Sequence, residues 1–219
     1  MGLKNNPHEH QDTIFASVLA DGLIHVNVPK GTEGAVEREY ETSDGKKGSK
    51  TELVYTELTG LIQKVDFHEG DYGINLQIVV GDEDDEKPVT LSLPTESNFG
   101  EDMMKKLPNI NLKKEVTLTP YSFDNDKGKK QRGISVTQKN KKGEPEKIQS
   151  FYYDPEKKIV LNGYPAVPKP EKGGKPLSKT IWRKYFGVAR DFLVEDITKR
   201  FKIEEGNSKT KTDKEFEDF

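Results

Sequence analysis

The sequence predicts a mainly β protein: a small barrel of five strands, preceded by a hairpin and followed by a long helix. Two observations support this fold class. Between residues 50 and 155, short runs rich in β-branched and aromatic residues alternate with Gly- and Asp-rich turns, which is typical of antiparallel strands. After residue 178, apolar residues recur at three- and four-residue spacing, which is typical of an amphipathic helix. At 219 residues, the chain suits one domain with extensions.

A hairpin is predicted near the N-terminus, over residues 14–28. Two apolar runs flank Asp21-Gly22, and this dipeptide favours a hairpin turn because both of its residues tolerate a positive φ. A further strand is predicted at residues 37–40, followed by a loop at residues 43–49. We interpret this region as an addition to the barrel.

The barrel strands are predicted from alternating apolar residues between turn signals. Residues 53–67 form the first and longest strand, and Gly60 in its middle allows a sharp bend. The other strands are predicted at residues 74–80, 89–93, 115–123 and 133–138, with one more at 147–153. A short helix at residues 98–107 falls between the third and fourth strands. This order matches the five-stranded Greek-key barrel called the OB-fold, although other small barrels have similar strand counts.

A long helix is predicted after the barrel, beyond a Pro-, Gly- and Lys-rich loop at residues 165–176. Ser178 can cap this helix, which runs to about residue 203. Its apolar residues form a wide aromatic stripe, in which we interpret Trp182 and Phe186 as core contacts against the barrel; a platform on which bases stack is the alternative. The predicted folded domain, with barrel, hairpin and helix, therefore spans residues 1–204.

The charge of the chain is unevenly distributed, although the net charge is only −3. Residues 1–126 carry a net charge of −12, residues 127–190 carry +12, and residues 191–219 carry −3. A basic block between acidic ones indicates a polyanionic partner more strongly than the overall charge does. The alternative is that the loops are simply rich in solvated lysines.

Aromatic and basic residues are interleaved in and near the basic block. Bases stack on aromatic rings while Lys and Arg neutralise phosphates, so this combination favours binding to single-stranded nucleic acid. In an OB barrel, the loops joining strands one and two and strands four and five contribute to the binding surface. The residues predicted to bind DNA are Tyr72, Tyr121, Phe123, Lys127, Lys129, Lys130, Arg132, Lys139, Lys142, Tyr152, Tyr153, Arg183 and Lys184. For Phe123 and some of the tyrosines, a place in the core is the alternative.

The last residues of the chain form a short acidic segment with two phenylalanines. A charged segment with few apolar residues cannot bury enough surface to offset its ordering entropy, so residues 205–219 are predicted to be a disordered tail. A solubilising tail is one interpretation, but an aromatic ring beside a terminal carboxylate also suits a basic, apolar pocket on a partner. The predicted partner-binding residues are Asp213, Glu215, Phe216, Glu217, Asp218 and Phe219.

Several classes of function are disfavoured by the sequence. The chain has no cysteine, which excludes disulfides, thiolate metal sites and cysteine nucleophiles. We recognise no phosphate-binding Gly-Lys-Ser/Thr loop and no metal-ligand spacing, so we expect a protein that is not an enzyme and holds no cofactor or metal. No apolar run approaches the roughly 18 residues needed to span a bilayer, and no signal peptide is recognisable, so we expect a cytoplasmic protein without a membrane partner.

An OB-like β-core, a basic aromatic surface and an acidic tail ending in Phe219 together resemble the bacteriophage single-stranded-DNA-binding proteins. The resemblance covers residues 50–155 and 213–219. It implies that the protein coats and protects single-stranded DNA during replication, recombination or repair, in the cytoplasm of an infected bacterial host. It also implies that the tail recruits partners such as a polymerase, a primase-helicase or a nuclease.

Two other functions fit the same sequence: an interaction scaffold whose barrel binds another protein, and an RNA-binding protein. The opposite charges of the middle block and of the tail also suggest an internal contact. We hypothesise that the tail occupies the basic groove when DNA is absent and is released for partners when DNA binds.

Overall fold

A computed structural model describes residues 13–42, 45–70, 73–82, 87–170 and 176–203 of the chain. The N-terminal region contributes the strands β1 (Ile14–Val18), β2 (Ile24–Asn27), β3 (Val36–Glu41) and β4 (Lys47–Tyr55). The central region contributes β5 (Leu58–Gly70), β6 (Gly73–Gly81), β7 (Val89–Pro94), β8 (Val116–Asp124) and β9 (Lys130–Lys139). Three short strands follow: β10 (Pro145–Lys147), β11 (Tyr153–Asp154) and β12 (Ile159–Val160).

The described residues also include two α-helices, α1 (Asn98–Lys106) and α2 (Lys179–Phe201). α1 packs on the sheet, continues into a 3-10 turn at Leu107–Asn109, and is contacted by α2. Ser178 caps α2 as predicted, because its side chain accepts a hydrogen bond from the Ile181 N–H. The buried side chains of both helices belong to one core with the sheet, among them Met103, Met104, Leu107, Ala189, Leu193 and Ile197.

Ten strands form one sheet within the described residues, in the order β10-β9-β8-β5-β6-β7-β1-β2-β4-β3. The mainly β fold with a C-terminal helix is therefore confirmed. The predicted N-terminal hairpin is also confirmed, because β1 and β2 pair antiparallel across the Asp21-Gly22 turn. β1 additionally pairs parallel with β7, so the hairpin extends the sheet beyond the strands predicted for the barrel.

Those predicted barrel strands lie side by side, in the order β9-β8-β5-β6-β7. At the centre, residues 58–60 of β5 pair with β8, and residues 61–70 pair with β6. Gly60 lies where β5 changes partner; its φ is +156°, and a Cβ at this residue would lie 3.1 Å from Val80 Cγ1. Glycine therefore permits β5 to serve both parts of the sheet.

Pairing of β7 with β9 would close these five strands into a barrel, but within the described residues both edges have other partners. β1 pairs with β7, and β10 pairs with β9. Elsewhere along β9, the Asp102 carboxylate of α1 accepts from the Ile134 N–H at 2.8 Å, and Lys106 Nζ donates to the Ile134 carbonyl at 2.6 Å. These two side chains satisfy backbone groups that a neighbouring strand would otherwise bind.

The β1–β2 turn nevertheless reaches across to β8. Gly22 is buried against β8 with a φ of +81°, and an added Cβ would lie 2.5 Å from the Ser122 backbone nitrogen. No side chain fits at this distance, so glycine is what allows the turn to touch β8. The N-terminal hairpin thus braces the strand that carries Tyr121 and Phe123.

Three element predictions are wrong in detail. The predicted strand at 53–67 is two strands, because β4 ends at Tyr55 and β5 begins at Leu58. The predicted loop at 43–49 ends early, since β4 already begins at Lys47. The predicted strand at 147–153 does not form: the chain leaves the sheet after β10, and the Phe151 N–H donates to the Lys105 carbonyl of α1 at 2.7 Å.

Candidate nucleic-acid interface

The β8–β9 hairpin carries an exposed aromatic pair. Tyr121 and Phe123 are two residues apart in β8, so their side chains leave the same face of the strand. Their ring centroids are 5.7 Å apart, and the ring planes are tilted by 35°. Phe123 is 54% exposed, which excludes the alternative that it is a core residue, and Tyr121 is half-buried. The pair therefore presents an aromatic surface to solvent.

The pairing of β8 with β9 determines what lies beside these rings. Gly133 is directly opposite Tyr121, and a Cβ at this glycine would collide with the Tyr121 hydroxyl. Burial, together with the charge of Asp102, raises the pKa of Tyr121. On the other face of the hairpin, Arg132 Nε donates to Ser122 Oγ at 3.4 Å. The Tyr121 ring is thus held against β9, while Arg132 lies behind it.

The tip of this hairpin is a tightly hydrogen-bonded turn. Asn125 Oδ1 accepts from the N–H groups of Lys127 and Lys129 at 3.0 and 2.9 Å, and the Asn125 N–H donates to the Lys129 carbonyl at 2.9 Å. Asparagine favours such turns because its side chain bonds the backbone two residues on. The backbone positions of Lys127, Lys129 and Lys130 are therefore well defined, and their side chains are exposed.

The hairpin tip is basic but not exclusively so. Residues 124–132 contain four cations and two aspartates, a net charge of +2. Both aspartates, Asp124 and Asp126, are exposed beside the lysines. The tip attracts a polyanion only moderately by charge, so the neighbouring rings must supply much of any affinity.

Acidic side chains near the base of the hairpin are engaged in internal contacts. Asp21, in the turn that touches β8, contacts His25 Nε2 at 3.0 Å, and Glu52 contacts His25 Nδ1 at 2.9 Å. Arg38 donates two hydrogen bonds to Glu52, at 2.7 and 2.8 Å, and this pairing lowers the pKa of the Glu52 carboxyl. This network links β2, β3 and β4 and stabilises the hairpin that braces β8.

The other lysines predicted to bind DNA lie far from this tip. Lys139 is the last residue of β9, and Lys142 is in the turn between β9 and β10. About nine residue steps of about 3.3 Å separate Lys139 from Lys130, which places them about 30 Å apart along the strand. They line a separate open cleft of about 430 Å³, together with Asn111, Lys114, Asn140 and Lys141. The structure therefore does not bring the two groups of lysines together.

Tyr152, one of the residues predicted to bind DNA, is a core residue, which is the alternative that the sequence left open for some of the tyrosines. Its side chain is fully buried, its hydroxyl donates to the Asp196 carboxylate of α2, and its ring packs edge-on against Phe192. Burial, reinforced by Asp196, raises the pKa of Tyr152 far above its ordinary value. A buried ring cannot stack on a base. The neighbouring Tyr153 is 42% exposed, in the separate two-stranded sheet of β11 and β12.

Arg183 and Lys184 are exposed near the start of α2, and within the described residues no ion pair or hydrogen bond joins them to the hairpin tip. The interpretation of Phe186 as a core contact is wrong, because it is 51% exposed. Trp182 is half-buried and stacks on Phe186. Sequence reasoning favoured the core for this pair over a base-stacking platform, because helical spacing does not show which part of a helix extends past the core.

Two predicted parts of the interface lie outside the described residues. They are Tyr72, in the turn between β5 and β6, and the tail at residues 213–219. Their roles stay predictions.

Metal sites, membrane-spanning helices and similarity to known proteins give no further indication of function. Among the described residues, no group of three or more His, Asp or Glu side chains could hold a metal ion. None of the described helices is long and apolar enough to cross a membrane. Comparisons with protein-family models, with curated proteins and with solved structures return no match. The side chains of this protein are therefore the only basis for a functional proposal.

Proposed function

We propose that this protein binds single-stranded DNA without sequence preference through the β8–β9 hairpin. The observation that carries the proposal is the exposed Tyr121–Phe123 pair in a hairpin whose tip carries Lys127, Lys129 and Lys130. Stacking of a base on an aromatic ring contributes about 1–3 kcal/mol, and Lys and Arg neutralise the phosphates. One hairpin can thus provide both kinds of contact to neighbouring nucleotides.

The rings favour a single strand over a duplex. In a duplex, the base faces are stacked on each other, and a protein reaches only the base edges in the grooves. A single strand offers its base faces directly to Phe123, the more exposed of the two rings. Because every base has such a face, stacking of this kind tolerates any sequence.

We further propose that the adjacent strands β9-β8-β5-β6-β7 are an OB-type core with additional strands at its edges. OB-folds bind oligonucleotides partly through the loop between their fourth and fifth strands, and in this proposal the β8–β9 hairpin corresponds to that loop. The wider proposal is that the protein protects DNA during phage-type replication, recombination or repair. In this proposal its tail recruits a polymerase, a primase-helicase or a nuclease, as the sequence resemblance implies.

Titration of the full chain into labelled oligo-dT, duplex DNA and single-stranded RNA of equal length tests the proposed function. We expect a preference for oligo-dT and an affinity that falls as salt rises. Each neutralised phosphate of a single strand contributes about −0.7 to the slope of log K against log salt concentration. Tighter binding to RNA would favour an RNA-binding role. No binding of any nucleic acid near physiological salt would favour the interaction scaffold.

The tail hypothesis has its own test, in a chain that lacks residues 206–219. Deletion removes the acidic competitor, so binding to oligo-dT should tighten, and most strongly at low salt where charge attraction is least screened. Equal affinities of the two chains at every ionic strength would contradict the internal contact and leave the hairpin proposal intact.

A further inference from the structure

The two halves of α2 have different surroundings. In the second half, Ala189, Leu193 and Ile197 are buried against the rest of the core. In the first half, none of residues 179–188 is buried, and Ile181, Phe186 and Val188 are 43%, 51% and 51% exposed. Helical segments of about ten residues are marginal in water on their own. The first half is thus an extension of an anchored helix, and it exposes apolar side chains to solvent.

An ordered aromatic stack lies on this extension. Trp182 and Phe186 are one helical turn apart, with ring centroids 5.8 Å apart and planes only 26° from parallel. Tyr185 meets the edge of the Trp182 ring at 6.0 Å, and its hydroxyl donates to the Pro165 carbonyl at 3.4 Å. The stack is therefore held on one side by the loop before α2, while the Phe186 ring remains half open to solvent.

The charged residues that this half of α2 itself contributes all have one sign. Residues 176–190 contain four cations, Lys179, Arg183, Lys184 and Arg190, and no Asp or Glu. Arg190 is paired with Glu96, whereas the other three make no ion pair with a described residue. By contrast, residues 191–203 contain three acids and three cations. The exposed half of α2 is thus both its aromatic half and its basic half.

We propose that the Trp182–Phe186 stack is a second base-stacking site for single-stranded DNA, with Arg183 and Lys184 contacting the flanking phosphates. This proposal rests on the proposed function and adds a site on a different element. Charge complementarity selects the occupant. A second copy of this helix would bring two unpaired basic faces together, which is unfavourable. A purely apolar partner would leave the cations unused, whereas a single strand supplies rings for the stack and phosphates for the cations.

The chain contains its own reporter for this site, because Trp182 is its only tryptophan. A base that stacks on the Trp182–Phe186 pair quenches tryptophan fluorescence, whereas binding at the β8–β9 hairpin alone places no base on Trp182. Oligo-dT is titrated into the full chain, and Trp182 emission is recorded together with the anisotropy of a label on the DNA. We expect quenching that saturates at the same DNA concentration as the anisotropy.

Two substitutions and a matched control complete the experiment. Phe186→Leu keeps an apolar side chain but removes the ring, and we expect it to weaken binding about fivefold or more and to reduce the quenching. Arg183→Glu combined with Lys184→Glu should weaken binding further at low salt. Val188→Ala, at an equally exposed residue of the same helical half, should leave affinity and quenching unchanged.

The outcomes separate this site from the hairpin. If the anisotropy reports binding while Trp182 emission and the affinity of the Phe186→Leu chain stay unchanged, the α2 site is wrong and the hairpin proposal survives. If neither signal responds to oligo-dT, the proposed function itself fails. If deletion of residues 206–219 shifts Trp182 emission and oligo-dT then adds no quenching, the acidic tail is the occupant and the α2 proposal is overturned.

Discussion

The β8–β9 and β9–β10 hairpins, at the two ends of β9, have the same kind of turn but differ in their neighbouring side chains. Asn140 Oδ1 accepts from the N–H groups of Lys142 and Glu144 at 2.8 and 3.1 Å, in the same way that Asn125 holds the β8–β9 turn. Residues 124–132 and residues 139–147 each contain four cations and two acids, so both carry +2. Turn geometry and charge are therefore matched.

The difference between the hairpins is aromatic. The β8–β9 hairpin has the Tyr121–Phe123 pair at its base, whereas residues 137–147 contain no aromatic residue. Charge alone offers a polyanion an attraction that salt screens, but a ring adds contact area that salt does not remove. From this difference we expect that, in this protein, lysines bind nucleic acid strongly only where rings accompany them, and this can be tested hairpin by hairpin.

The largest effect is expected from reversing the charge of the aromatic hairpin. Replacing Lys127, Lys129 and Lys130 with Glu should weaken oligo-dT binding by about a hundredfold at low salt. It should also reduce the steepness of the salt dependence by about 2, because three phosphate contacts at about 0.7 each are lost. Fluorescence anisotropy at several salt concentrations measures both quantities.

The matched control places the same reversal on the other hairpin. Replacing Lys139, Lys141 and Lys142 with Glu changes the net charge of the protein equally, so the two variants differ only in where the charge is reversed. We expect a loss of about tenfold or less and a nearly unchanged salt slope. Equal losses in the two variants would show that the hairpins act alike and would break the comparison.

Removal of the exposed ring is expected to have the second largest effect. Phe123→Ala removes a stacking contact of about 1–3 kcal/mol, which corresponds to a loss of about fivefold or more in affinity for oligo-dT. The salt slope should stay the same, since no phosphate contact is lost. Because Phe123 is 54% exposed, the melting temperature should change little.

Leu112 provides the control for this loss of apolar surface. It is 41% exposed in the loop that Gln138 of β9 holds through Asn111, and it therefore lies at the other end of that strand. Leu112→Ala should leave oligo-dT binding unchanged. An equal loss of affinity in both variants would mean that exposed apolar area, and not a ring at this hairpin, determines binding.

Local features of the fold were predictable from the sequence because neighbouring residues determine them. The Ser178 cap and the Asp21-Gly22 turn depend on side-chain hydrogen bonds and φ preferences within a few residues, and both form, although only Gly22 of the turn has a positive φ. The parallel pairing of β1 with β7 was not predictable, since these strands are about 70 residues apart in sequence and pair through tertiary structure.

The candidate site was predictable in its residue types but not in its arrangement. The basic block is continuous in sequence. Only the length of β9 shows that the lysines at 127–130 and those at 139–142 lie at opposite ends of that strand. Of the three consecutive aromatic residues 151–153, Tyr152 is the fully buried one. Its hydroxyl donates to Asp196, 44 residues further along the chain. Such long-range partners leave no local signal, so sequence reasoning could not distinguish the buried ring from the exposed one.

The smallest effect is expected from loosening the two turns. Asn125→Ala and Asn140→Ala each remove side-chain hydrogen bonds to two backbone N–H groups in equivalent turns, so each should cost about 1 kcal/mol of unfolding free energy in urea titrations. The affinity for oligo-dT should then fall about twofold to fivefold for Asn125→Ala alone. The reason is that DNA binding to the β8–β9 hairpin would then have to order a mobile tip, and this ordering costs free energy. A similar fall for Asn140→Ala would mean that the β9–β10 turn also contacts DNA, and that its lysines need no ring beside them.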